Sequence, residues 1–165
     1  METDQAKLWF TKHAPTRAAQ DAAADALPEI GLGRRPVATA HHEAAHAVIG
    51  RLLGADVQRI YLTPTGGQCD SLTYGGWMDR DDAISLLAGP IASFRILKKY
   101  KTLIFVESQD CRLAQLIFPQ WEDYERAEKE ARSMVHENWL EIVQVARRLL
   151  AAPEPILRGA AIWED

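Results

Sequence analysis

Three of the chain's five histidines fall within six positions, in the run His41-His42-Glu43-Ala44-Ala45-His46. The last five of these residues fit His-Glu-x-x-His, a spacing with a physical basis. Side chains four apart on a helix share one face about a turn from each other, so the imidazoles of His42 and His46 can meet a single ion. Zinc takes neutral imidazole nitrogens at about 2.0–2.1 Å in a near-tetrahedral set, and a catalytic site leaves one corner for water. Glu43 sits roughly a quarter turn from His42, beside the ion rather than on it. There it can accept a proton from a water whose pKa the metal lowers to about 7. Five histidines and twelve glutamates in 165 residues yield this pattern by chance about 0.01 times. The competing reading is a histidine-bearing helix that holds no ion, and a third ligand decides between the two. His41 points elsewhere, either to the helix surface or to a supporting place behind the ligands. His13 and His136 read as ordinary residues.

The third ligand has to come from elsewhere in the chain. A metzincin would carry glycine three residues after the second histidine and another histidine three further on. Those positions hold Ile49 and Leu52, which excludes that arrangement. A thermolysin-like site uses a downstream glutamate on a second helix, and Glu107 qualifies. Asp110, 64 residues after His46 (110 − 46) in the segment "SQDCRLAQLI", is the other candidate. Asp70, Asp79, Asp81 and Asp82 are weaker ones, placed in or near a turn region.

The elements that must hold these groups read as mainly α with a small β-hairpin or sheet, an α+β class. Pro36 suits a first helical turn and Gly54 a helix end, so Pro36 to Leu53 is expected to be the motif helix. Ala38, Ala45, Ile49 and Leu52 form its expected core stripe. "VQRIYLT" (Val57 to Thr63) reads as a strand, "PTGGQ" as a turn, and "CDSLTY" (Cys69 to Tyr74) as a returning strand. A helix is expected from about Asp81 to Tyr100, kinked or restarted at Pro90. A short one should begin at Ser108 or Gln109 and stop before Pro119. Trp121 to Leu150 reads as one long helix or two joined ones, ended by Pro153 and Pro155. Towards the N-terminus, Asp4 to His13 and Thr16 to Leu27 suit short helices. Residues 1–35 thus form a helical extension to a domain over residues 36–165, in a single-domain chain.

A hydrophobic share of 47% over 165 residues is enough for a core without staples. The net charge of −4 favours neither nucleic acid nor an anionic membrane as partner. Arg95, Lys98, Lys99 and Lys101 make one basic patch, read as a solvated helix end. Cys69 and Cys111 match no zinc or redox pairing pattern, so a reduced, cytoplasmic setting is expected. "METDQAKLWF" is too charged and broken for a signal peptide, and the apolar run from Ala83 to Ala92 is too short to span a bilayer. The tryptophans Trp9, Trp77, Trp121, Trp139 and Trp163 read as packing or interface anchors, with Trp77 placed to border a cleft. Tyr61, Tyr74 and Arg112 are possible transition-state stabilisers, though no spacing singles one out.

Four stretches in order, "ATAHHEAAHAVIG", "VQRIYLTPTGG", "ISLLAGPIAS" and "SQDCRLAQLI", resemble the peptidase domain of the FtsH family of ATP-dependent zinc proteases. That family has a His-Glu-Ala-Gly-His helix, a strand ending in a proline-containing turn, a Leu-x-Gly-Gly-Arg-Ala-Ala-Glu helix and an Ala-x-Asn-Asp-Leu-x-x-Ala-Thr segment. The resemblance covers about Val37 to Leu150. It implies a zincin-like fold and a zinc set of His42, His46 and Asp110, with Glu43 as general base and Glu107 as fallback ligand or supporting group. Ala45 replaces the family's glycine within the motif, and "AGPIAS" lacks its Arg and Glu. No Gly-x-x-x-x-Gly-Lys-Ser/Thr phosphate loop occurs, so neither ATP nor ATP-driven unfolding is expected. The family's hexamers suggest self-association.

The expected activity is therefore ATP-independent zinc metalloendopeptidase, acting on peptides or flexible protein segments. One alternative is a non-catalytic zinc-binding interaction or regulatory protein that retains the fold. Another is a small metallopeptidase of the repressor-cleaving type. Glu43 separates the first alternative from an enzyme, because a structural metal site needs ligands and not a base.

Overall fold

The computed structural model describes residues 34–64, 66–72, 79–97 and 108–164. The helices expected before Pro28, as well as Glu107, Tyr74, Trp9, Trp77 and the lysines of the basic patch, lie outside them. The described residues form five α-helices and a three-stranded antiparallel sheet. The order is α1 (Arg34–Leu52), β1 (Asp56–Thr63), β2 (Gly66–Leu72), α2 (Arg80–Leu97), α3 (Gln109–Ile117), α4 (Trp121–Glu137), α5 (Trp139–Ala151) and β3 (Ile156–Arg158), followed by a 3-10 turn, Gly159–Ile162. No helix among them is long and apolar enough to cross a membrane.

Helix α1 is the centre of the packing and touches α2, α5, β1 and β2. Its alanines explain this position. Ala40, Ala44, Ala45 and Ala47 are all buried, and small side chains let neighbours approach from every side. The apolar surface is therefore broader than the expected stripe. Ala38, Ala45 and Ile49 are buried as expected, but Leu52 is 42% exposed because it lies in the last turn, past the covering elements. The helix stops at Gly54, whose φ of 95° a side chain would resist; Ala55 N–H then reaches back to the Gly50 carbonyl at 2.8 Å, closing the orphaned end.

The sheet order is β2-β1-β3. Central β1 pairs with β2 in a register that sets Ile60 opposite Cys69 and Leu62 opposite Gly67. It also pairs with β3, Ile60 facing Leu157. Val57 and Ile60 drop from β1 into the core. Strand β2 begins at Gly66, so Gly66 to Gln68, expected to lie in the turn, are paired residues. Strand β3 was not expected. It is three residues long and follows Pro155, whose carbonyl accepts from Leu62 N–H at 2.8 Å.

Pro90 neither restarts nor divides α2, which runs unbroken from Arg80 to Leu97. Proline removes one N–H and leaves the helix otherwise able to continue where packing holds it. Here Leu87, Ala88, Gly89, Pro90, Ile91 and Ala92 are all buried. Of the two forms expected for Trp121 to Leu150, the structure has the pair of helices, meeting at Asn138. Trp139, at the start of α5, is fully buried, stacked on His41 at 5.4 Å and covered by the Arg95 guanidinium at 4.1 Å. Arg95 is thus a packing group on an aromatic face rather than a solvated helix end.

Candidate metal centre

Three elements bring the ligating groups together. Helix α1 presents His42 and His46, whose rings meet edge-on with centroids 4.7 Å apart. Helix α3 presents Asp110 from its first turn. The Ser108 hydroxyl caps that helix by accepting from Cys111 N–H at 3.1 Å, while buried Cys111 and Ala114 anchor it to the core. Helix α2 passes behind both imidazoles. The Nε2 atoms of His42 and His46 lie 3.0 and 3.7 Å from Oδ2 of Asp110. One ligand atom from each of these residues falls within 4.8 Å of the others, so the trio could hold a metal ion. A tetrahedral ion with bonds of about 2.0–2.1 Å sets its ligands about 3.3–3.4 Å apart, between the two observed distances.

The bonds behind the rings fix their tautomers. His46 Nδ1–H donates to the Ser85 carbonyl at 2.8 Å. His42 Nδ1 lies 2.9 Å from the Ser93 hydroxyl, whose hydrogen goes to the Gly89 carbonyl at 3.1 Å. The serine oxygen therefore accepts from His42. Each neutral ring is left with its lone pair on Nε2, aimed at a carboxylate oxygen. Three acceptors facing one another require positive charge between them, supplied by protons or by a metal ion. Space for an ion exists because residue 89 is glycine. A Cβ there would stand 2.4 Å from His46 Nε2 and 2.7 Å from His42 Nε2.

Titration behaviour follows from burial and from this closeness. Burial holds His42 below the ordinary histidine pKa, outweighing the Asp110 bond. Burial also lowers His46, but the bond and charge of Asp110 prevail and its pKa is raised. At Asp110, burial alone would raise the pKa, yet the two imidazoles hold the carboxyl well below the usual carboxylate range. Glu43 is 4% exposed, and burial pushes its pKa up to about 7. Its carboxylate makes no hydrogen bond among the described residues, and it packs where a Cβ on Gly67 of β2 would come within 2.7 Å of its Cγ. All four groups line one cavity of about 760 Å³, with β2 along one side.

Other candidates are placed elsewhere. Asp70 pairs with Arg59 across the hairpin. Asp79 accepts from the N–H groups of Asp81 and Asp82, and Asp82 accepts from Asp79 N–H, a reciprocal cap on α2. His41 is a correction: it is fully buried, donates to or accepts from no ligand, and bonds the Val37 carbonyl at 2.7 Å through Nδ1. The Tyr61 hydroxyl donates to Gln68 at 2.8 Å. Gly89, Ser85 and Ser93 were missed by sequence reasoning. Their four-residue spacing along α2 puts them on one slowly turning face, a signal that means something only once that helix is known to lie behind α1.

Compared with known proteins, the chain matches no family model, no curated protein and no solved structure.

Proposed function

We propose that the protein is an ATP-independent zinc metallopeptidase that hydrolyses peptides or flexible protein segments. The observation that carries this reading is the pairing of the His42–His46–Asp110 trio with a buried carboxylate, Glu43, that has no hydrogen bond among the described residues and faces the same cavity. Two imidazole nitrogens and one carboxylate oxygen suit zinc, and a structural zinc site would engage a fourth protein group. When bound, zinc supplies Lewis-acid polarisation of the scissile carbonyl and a more acidic water.

This chain's own groups do the rest. Ser85 and Ser93 hold the imidazoles with their lone pairs forward. Glu43, raised by burial to about 7, takes a proton from the attacking water and delivers it to the leaving nitrogen. The same carboxylate thus serves both steps. Strand β2 has no strand on its outer edge among the described residues, and its Gly67, Gln68, Cys69 and Ser71 border the cavity. An extended substrate can add there as a further strand. A sheet of this kind beside a His-Glu-x-x-His helix supports a zincin-like fold, in keeping with the resemblance to the FtsH peptidase domain.

The test is metal analysis of the purified chain coupled to a casein and peptide-library digest, with and without chelator. One zinc per chain and chelator-sensitive cleavage are expected. Cleavage that persists in full after the metal is stripped, or a zinc-loaded chain that cuts nothing, overturns the reading.

A further inference from the structure

Helix α2 carries Asp81, Ser85, Gly89 and Ser93 at four-residue intervals. Ser85, Gly89 and Ser93 serve the metal centre, and the same face continues to Asp81 and its neighbour Asp82 at the helix start. Both acids line the cavity, as does Asp79 just before the helix. Among the described residues, the acidic side chains lining this cavity besides Glu43 are the aspartates Asp79, Asp81, Asp82 and Asp110, and neither lysine nor arginine lines it. The adjacent cation, Arg80, is directed to Glu130 of α4, with its second nitrogen 4.0 Å from Asp81. The mutual caps use the carboxylates of Asp79 and Asp82 to bind N–H groups without adding positive side chains. Independently, Glu43 is buried, makes no hydrogen bond among the described residues and faces the same space, which marks the cavity as one that receives a polar ligand.

We infer that the cavity selects substrates by charge, preferring peptide segments that carry lysine or arginine a few residues from the bond that is cut. The inference rests on the metallopeptidase reading and deepens it. A distance of eight helical residues separates Asp81 from Gly89, about 12 Å along the axis. An extended peptide rises about 3.3 Å per residue, so the acidic end of the cavity meets a side chain between three and four residues from the metal centre. A cation there is attracted by three half-exposed or exposed carboxylates, and an anion is repelled. Because these acids are open to solvent, the preference is moderate and weakens with salt.

The experiment uses the full chain, zinc-loaded, with Glu43→Gln so that bound peptides stay intact. Fluorescent decapeptides differing only in Lys, Gln or Glu, three and four residues from a fixed central bond on either side, are titrated by anisotropy at 50 and 300 mM NaCl. The Lys peptide should bind about ten-fold more tightly than the Glu peptide at low salt, with a smaller ratio at high salt. The same ratio should fall below about two-fold in Asp81→Asn/Asp82→Asn, since asparagine keeps the capping bonds and removes the charge. Equal binding of the three peptides overturns the inference, as does a ratio unchanged in the double variant. If wild-type chain nevertheless cleaves all three, the metallopeptidase reading stands without the charge preference. If none binds and none is cut, both fall.

Discussion

Gly89 on α2 stands so close to His46 that a single added carbon would lie 2.4 Å from the ring's Nε2. That carbon would also lie 2.7 Å from His42 Nε2, crowding both imidazole nitrogens that could bind an ion. In a helix, alanine is favoured over glycine by roughly 0.8–1.0 kcal/mol, so the backbone itself gains from the change.

Gly89→Ala is therefore expected to fold and yet lose metal. Zinc affinity should drop at least 100-fold, while unfolding in chelator shows a loss of no more than about 1–3 kcal/mol, the helical gain offsetting part of the cost of moving the rings. A zinc titration and a melt on the same sample check both halves. Unchanged zinc affinity would show that the ion, if any, sits elsewhere.

Ser93 makes the second prediction. Its hydroxyl is the acceptor behind His42 at 2.9 Å and keeps that ring's lone pair on Nε2. Ser93→Ala should weaken zinc binding about 10–100-fold, and Ser93→Thr, which retains the hydroxyl, should recover most of the loss. Competition against a chromophoric chelator gives both values. A supporting role in packing alone would leave zinc affinity untouched in the alanine variant.

The third prediction separates ligand from base. Asp110→Ala should abolish stoichiometric zinc binding, whereas Glu107→Ala, three positions earlier, should retain it. Glu43→Gln should keep about one zinc per chain and lower peptide hydrolysis at least 100-fold, in line with the 10²–10⁴-fold worth of a general base. Full hydrolysis by the glutamine variant would remove Glu43 from the mechanism.

How far the residues alone reach is uneven, and the reasons are physical. His42, Glu43 and His46 were legible because their relation is local: helix geometry converts a spacing of four into a shared face. The limits of α1 and α3 were legible from Pro36, Gly54 and Ser108, whose backbone preferences act on their immediate neighbours. Asp110 was one of six carboxylates left open, with Glu107 and the weaker candidates Asp70, Asp79, Asp81 and Asp82, because no local rule links groups 64 residues apart. Gly89 and Ser93 matter only through the packing of α2 against α1. Leu52 and His41 were misplaced for a common reason. An alanine-rich helix covered on nearly all sides has no sharp polar stripe, so periodicity cannot say which face meets water. Strand β3, with three residues beside Pro155, is too short to produce an alternation.

His41 supplies the last prediction. Burial lowers its pKa from 6.5 to about 4, outweighing the bond to the Val37 carbonyl, and the charges of Arg147 and Arg95 lower it further. The folded chain therefore holds the neutral ring, while the unfolded chain binds a proton near pH 6.5. A depressed folded value makes this contribution to stability complete above pH 6.5. It declines as the pH falls from 6.5 and is exhausted once the pH passes below about 4, with a total of about 3 kcal/mol at most. His41→Phe keeps an aromatic ring against Trp139 and cannot be protonated. Urea unfolding in chelator should show that the parent's stability advantage over, or deficit against, His41→Phe shifts towards the variant by about 2 kcal/mol between pH 7 and pH 5. The neighbouring imidazoles and Asp110 titrate in both chains and cancel in that difference. A difference independent of pH would mean that His41 takes up its proton in the folded chain as readily as in the unfolded one, so that burial against Trp139 does not hold the ring neutral.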